Sequence, residues 1–269
     1  RLAAAAAVRR MVSRSPLLLY LGAITLITIL LATGLLAEAR MDGAADWALV
    51  PLGIIALLVT SQLAVALVNV LVTLLASPHP LPRMDFSTGI PVQSRTLVVV
   101  PSMLTGPSDV ESLVETLEVR FLANRDTNLH FGLLTDFADA AEEALATDAP
   151  LLELAQGRIE ALNAQYADGD NDVFYLFHRP RRWNSHDRIW MGYERKRGKL
   201  ADLNRLLRES RRDGFSLVVG ATEILAGVKY VITLDTDTQL PRDAARQFVA
   251  TMAHPLNRPV YDAVLQRVR

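Results

Sequence analysis

Two long stretches without a charge constrain this chain more than any other feature. Leu17 to Ala37 ("LLLYLGAITLITILLATGLLA") and Trp47 to Ala76 ("WALVPLGIIALLVTSQLAVALVNVLVTLLA") are each long enough to cross about 30 Å of hydrocarbon as a helix. The second exceeds what a crossing needs, which predicts tilt or extension past the interface. Pro51 near its start and Asn69 inside it are tolerable at a helix end or against a partner helix. A cleaved signal peptide is the rival reading of the first stretch. Its apolar run is longer than the usual ~7–15 residues of such a region and a second span follows, so a two-helix transmembrane region over 17–76 is expected. Arg1, Arg9, Arg10 and Arg14 precede the first span, while the loop between spans sets only Arg40 against Asp42 and Asp46. Positive charge stays inside, so segment 1–16 is expected in the cytoplasm and two crossings return the chain there. The expectation is a multi-pass protein of the cytoplasmic (inner) membrane, in contact with lipid, with everything after residue 80 cytosolic.

The hydrophobic fraction is 51%, and its excess lies before residue 80. Net charge is −1, which argues against a nucleic-acid partner. With no cysteine, disulfides and thiolate metal sites are excluded. The chain runs from Arg1 to Arg269 without an initiator methionine and is expected to be part of a longer polypeptide. A proline-rich linker is expected over 77–95. From 96 to 269 short apolar runs alternate with helical periodicity. Strands are predicted at "TLVVV" (96–100, closed by Pro101), "LHFGLL" (129–134), "DVFYLF" (172–177) and "KYVITL" (229–234). Helices are predicted over 109–123, 199–210 and 242–253, with a helix-rich stretch at 139–166 whose continuity Pro150 and Gly157 interrupt. "FSLVVG" (215–220) suits strand or helix. The order implies two membrane helices followed by an α/β domain with a mostly parallel, doubly wound sheet and right-handed crossovers. Ligands of such sheets sit outside the carboxyl ends of the strands, which singles out Pro101–Ser102, Thr135–Asp136, His178–Arg179 and Asp235–Asp237 as one edge.

The stretch "VITLDTDTQLPRD" (231–243) sends an apolar strand into two aspartates one residue apart. Their like charges require something positive between them. In an extended segment Asp235 and Asp237 project to the same side and can share one hard cation through oxygen, whereas the bland alternative is a turn with two solvated acids. A calcium loop of the EF-hand type fails, because Leu240 and Arg246 stand where glycine and glutamate are needed. An aspartyl-phosphate phosphatase shares the Asp-x-Asp pattern, but Gln239 replaces its threonine. No lysine, and among acids only Asp262, follows residue 243. Lys199 opens a helix in "RKRGKLADLN", where a cation beside free N–H groups can hold a phosphate or be merely solvated. Residues 179–199 mix Arg and Lys with Trp183, Trp190 and Tyr193, read as a basic lip for a diphosphate rather than a nucleic-acid surface. Asp136 in "LLTDFADA" ends a strand, where aspartates often cap a turn. His79, His130, His178, His186 and His254 show no metal-ligand spacing.

Together, "VVVPSMLTGPSDVESLVETLE", "LLTDF", "FHRPRRW…KRGKLADLN" and "YVITLDTDTQLPRDAARQFV" resemble the processive, inverting glycosyltransferases of the GT-A fold. With "LPRMDFSTGIPVQSRTLVVVPSML" and "DTDTQLPRD" behind two spans, the closer resemblance is to the cyclic β-1,2-glucan synthase family. The resemblance implies that Pro101 and Ser102 border the nucleotide, Asp136 bonds the uracil and Lys199 faces the diphosphate. It also implies that Asp235 and Asp237 hold Mg²⁺ or Mn²⁺ against UDP-glucose, with a growing β-glucan as acceptor. The domain would be a GT-A fold incomplete at its C-terminus. In that family the catalytic base is a later Asp, so no catalytic residue is assigned here and no turnover is expected of residues 1–269 alone. A non-catalytic membrane scaffold on the same fold is the competing reading.

Overall fold

The computed structural model describes residues 15–75, 78, 80–166 and 172–268. Arg1, Arg9, Arg10, Arg14 and His79 lie outside the described residues. The chain divides into two compact units, Arg1–Pro80 and Leu81–Arg269.

The first unit is a pair of helices, α1 (Pro16–Met41) and α2 (Asp46–Leu75), both long and apolar enough to cross a membrane. Tyr20 donates to Asn69 Oδ1 at 2.8 Å, and the Thr60 hydroxyl lies 3.4 Å from the Thr28 carbonyl, so the helices run antiparallel. Small residues, Ala32 on α1 with Ala56 and Ala64 on α2, fill the seam and let the backbones approach. The outward leucines, isoleucines and valines remain exposed.

The second unit carries a five-stranded sheet. Its strands are β1 (Thr96–Leu104), β2 (Leu129–Phe137), β3 (Phe174–Arg179), β6 (Leu217–Val219) and β7 (Tyr230–Thr233), in the order β6-β3-β2-β1-β7. β1, β2, β3 and β7 are parallel, and β6 joins antiparallel to β3. That settles "FSLVVG" as strand. β4 (Arg182–Asn184) and β5 (Ile189–Met191) form a hairpin beyond β3, and β8 (Tyr261–Asp262) pairs with β9 (Arg267–Val268). Alternation along β1 builds two cores. Val98 and Val100 pack with α3 (Pro107–Ala123), α4 (Asp148–Tyr166) and α6 (Ala244–Ala253). Leu97 and Val99 pack with α5 (Arg195–Glu209) and Leu225 on the other face. Helices on both faces explain why "TLVVV" is apolar without a break.

Four boundaries depart from expectation. α5 starts at Arg195, so Lys199 stands in its second turn and does not open the helix beside free N–H groups. β1 runs through Pro101 to Leu104 instead of closing there. Leu234 N–H donates to Val99 O, so odd-numbered residues of β1 face β7, which has already ended by the level of Pro101. A missing N–H costs nothing on that flank. Residues 139–147 are irregular, with Ala140 bridged to Trp190, and α4 begins only at Asp148, with Pro150 in its first turn where a proline is tolerated. From Leu81 the expected linker belongs to the second unit, because Phe86 and Ile90 enter its core and Met84 N–H bonds Ala250 O at 3.0 Å.

His130 on β2 and His178 on β3 are buried, and burial pulls each pKa down to about 4. Asp136 and Asp148 oppose that shift at His178, while Lys199 and Arg181 reinforce it; at His130 Arg95 reinforces it and Asp126 opposes it. The unfolded chain takes protons near pH 6.5 that the folded chain refuses until about 4. Stability is therefore full above 6.5 and falls as pH drops through that window, by on the order of 3 kcal/mol per histidine at its lower end. Urea midpoints of the second unit should already decline between pH 6.5 and 5, before carboxylates titrate. A flat midpoint there would contradict the buried neutral assignment.

Candidate functional site

Parallel pairing brings the four strand ends to one edge. Ser102 lies opposite Thr135 and Met103 opposite Asp136, while Thr135 and Asp136 lie opposite His178 and Arg179. β7 ends at Thr233 beside Val99, and Asp235–Asp237 follow at the same edge. The two aspartates are not in an extended segment as the spacing suggested. Thr238 N–H bonds Asp235 O at 3.1 Å, closing a turn that holds both. Both side chains are exposed.

Beneath this edge is a buried, charge-balanced network. Asp136 receives Arg179 Nε at 2.8 Å and Nη2 at 3.1 Å, and its Oδ2 lies 3.1 Å from Lys199 Nζ. Arg179 Nη1 donates to Asp202 Oδ2 at 2.8 Å, and Asp202 also pairs with Arg205. Lys199 Nζ donates to the Ser102 carbonyl, while the Ser102 hydroxyl has no hydrogen-bond partner among the described residues. All four charged groups, Asp136, Arg179, Lys199 and Asp202, are no more than 4% exposed. Burial pushes the Lys199 ammonium pKa down, against the pull of Asp136. Lys199 thus spends its donors on the protein interior. Pro101 is half-buried at the same edge.

The exposed cation that meets Asp235 is Lys196, one turn earlier on α5. Its Nζ lies 2.5 Å from Asp235 Oδ1, with both side chains half or more exposed. Arg195 pairs with Asp139 at 2.6 Å alongside it. The expected basic lip is sorted the same way. Arg179 and Arg181 are buried, Arg181 pairing with Asp148 and lying 4.9 Å over the Phe137 ring, while Arg182 stays exposed. Trp183 and Trp190 pair across the β4–β5 hairpin with ring centroids 5.8 Å apart, and Trp183 and Tyr193 are about half exposed.

Sequence patterns do not single out Lys196, Asp202 or Arg120. Asp202 carries a detectable signal, a carboxylate three residues after Lys199 on the face that also holds Leu203 and Leu206. Arg120 carries another, treated below. Lys196 carries none, since Arg195 and Arg197 beside it in "RKRGK" are exposed as well and only its place against Asp235 sets it apart.

Asp235 and Asp237 can offer carboxylate oxygens to a hard cation, and the ammonium on Asp235 marks where a positive charge settles. No group of three or more His, Cys, Asp or Glu that could hold a metal occurs among the described residues, so any ion here would complete its shell with ligand or water oxygens. A scan against protein-family models finds no match. Over 208 residues, 77% of its length, the chain is 44% identical to "Cyclic beta-(1,2)-glucan synthase NdvB" of Rhizobium meliloti (strain 1021). That stretch is 7% of the relative, so the chain spans a small fraction of the protein it matches. By this identity across most of its length, the chain belongs to the cyclic β-(1,2)-glucan synthase family.

Proposed function

We propose that this chain carries the donor site of a membrane-anchored, GT-A-type inverting glucosyltransferase that extends a β-1,2-glucan from UDP-glucose at the cytoplasmic face of the inner membrane. The observation that carries the reading is the Asp235–Thr238 turn at the carboxyl edge of a parallel sheet, with two exposed carboxylates beside a lysine. Membrane anchoring is supported by α1 and α2, whose exposed apolar faces suit lipid. Two crossings leave the second unit on the side where the chain began.

In this reading Asp235 and Asp237 hold Mg²⁺ or Mn²⁺ against the diphosphate. When bound, a divalent cation neutralises the phosphate oxygens that gain charge as the sugar leaves. Lys196, exposed beside Asp235, would be placed to offer its ammonium to the phosphates. Lys199 acts from beneath by fixing the Ser102 carbonyl, so the strand end that borders the nucleotide is rigid. Asp136 keeps one acceptor position on Oδ1 after Arg179 Nε, which suits the imide N–H of uracil once the covering segment around Gly192 shifts.

The reading predicts that UDP raises the melting temperature of the detergent-solubilised chain far more with Mn²⁺ than with a chelator. A ligand at about 100 times its Kd stabilises by about 2.7 kcal/mol. Asp237→Asn should lose the metal-dependent part and keep the rest. Equal protection of parent and variant would remove Asp237 from the site. No protection of the parent would leave the scaffold reading in its place.

A further inference from the structure

Arg120 lies on α3 among Val110, Val114, Leu117 and Phe121, the residues that face the core, and is 3% exposed. A guanidinium there is costly unless its donors are met. No carboxylate bonds it among the described residues. Its Nη2 donates to the carbonyls of Asp235 at 3.1 Å, Thr236 at 2.8 Å and Thr238 at 2.7 Å, and its Nε to Thr238 at 3.2 Å. One side chain therefore gathers three carbonyls of the turn that bears both aspartates. Asn124, one helical turn on, extends the grip. Its amide donates to Leu240 O at 3.3 Å and its carbonyl accepts Ala245 N–H at 3.0 Å. Asp243 N–H bonds Ala123 O at 3.1 Å. The path from Asp235 to the start of α6 is pinned to the last turn of α3.

Carbonyls drawn inward leave the side chains of Asp235 and Asp237 outside, where both are exposed. Arg120 Nη1 has no hydrogen-bond partner among the described residues, so part of its charge is unspent beneath the turn. Burial lowers the Arg120 pKa and the charge of Asp237 raises it again, in keeping with a field felt between them.

We propose that Arg120 is a positioning residue for the Asp235/Asp237 pair, its buried guanidinium holding the turn in the shape that presents both carboxylates to one divalent cation. The inference rests on the reading of that pair as a metal–nucleotide site. An arginine fork can span three carbonyls where a methionine of similar length donates nothing.

The test is UDP affinity of the full 269-residue chain, measured by calorimetry with Mn²⁺ and with EDTA, for the parent, Arg120→Met and Asp237→Asn. Outer-shell partners of a metal site typically govern about 10–100-fold in metal affinity. Arg120→Met should cut the Mn²⁺-to-EDTA affinity ratio by that factor and leave the EDTA affinity unchanged, and Asp237→Asn should lower the same ratio. The Thr238 amide should exchange faster in the variant without metal. Should Arg120→Met fail to fold, Arg120→Lys replaces it, with the lower end of that loss expected. An unchanged ratio in the variant overturns the positioning role and leaves the site standing, as does an equal fall in both affinities. A parent ratio of one overturns the site itself and the role with it.

Discussion

Arg179→Met is expected to destabilise the second unit by about 3–5 kcal/mol, because removing one partner of a buried ion pair strands the other in a poorly solvated place. The arginine gives two bonds to Asp136 and one to Asp202, and it also reaches Tyr193 O at 3.1 Å. Both acids are 4% exposed or less, so water does not replace what is lost. Lys199 still reaches Asp136 and Arg205 still reaches Asp202, which sets the effect nearer the lower bound. For a unit of this size that is a fall in melting temperature of about 10 °C. The cause is separable from lost packing. Arg179→Met combined with Asp202→Asn keeps Asp136 paired with Lys199, releases only the half-exposed Arg205 and removes the surplus buried negative charge, so it should be more stable than Arg179→Met alone, a coupling that only neighbouring groups show. A loss below about 1 kcal/mol would put the pair in the class of exposed salt bridges and contradict its burial.

Much of the architecture is legible because burial writes itself into composition. An unbroken "LVVV" occurs where helices cover both faces of a strand, and β1 and β3 carry that mark, whereas His130 interrupts β2 and one face of β7 is exposed at Val231 and Thr233. The long uncharged runs are read as directly, since no other common element needs so many apolar residues in succession. What escapes is whatever depends on a neighbour distant in sequence. Pro101 stops β1 only if its N–H is needed, and that is decided by where β7 ends. The proline-rich stretch looks like a linker until Phe86 and Ile90 are seen in the core. Asp235 and Asp237 read as an extended pair because their turn is imposed by Arg120, over a hundred residues away. The placement of Arg120 among Val114, Leu117 and Phe121 was the available clue. A charge on an apolar helix face needs partners that local sequence does not supply. Lys199 and Lys196 show the same gap. Both belong to one basic run, yet one is spent on the interior and the other meets Asp235 at the surface.

Two helical glycines turn this reasoning into a contrast of sign. Alanine is favoured over glycine inside a helix by about 1 kcal/mol, so propensity alone favours both Gly157→Ala and Gly198→Ala. At Gly157 on α4 an added Cβ meets nothing within 4 Å, and that variant should be neutral or slightly stabilising. At Gly198 on α5 the Cβ would fall well inside contact distance of the Tyr193 carbonyl oxygen and 2.8 Å from Arg179 Nη1. Neither neighbour yields cheaply, because the Tyr193 carbonyl accepts Arg179 Nη2, and Arg179 is tied to Asp136 and Asp202. The helix must move, and it carries Lys196 and Lys199 with it. Gly198→Ala should therefore lower stability by about 3 kcal/mol, the upper end of ordinary overpacking, and weaken UDP binding as well. Paired thermal melts read both variants against the parent. If Gly198→Ala melts at or above the parent temperature, the close seat of α5 against the buried network is wrong. The grounds for placing Lys196 beside Asp235 would go with it.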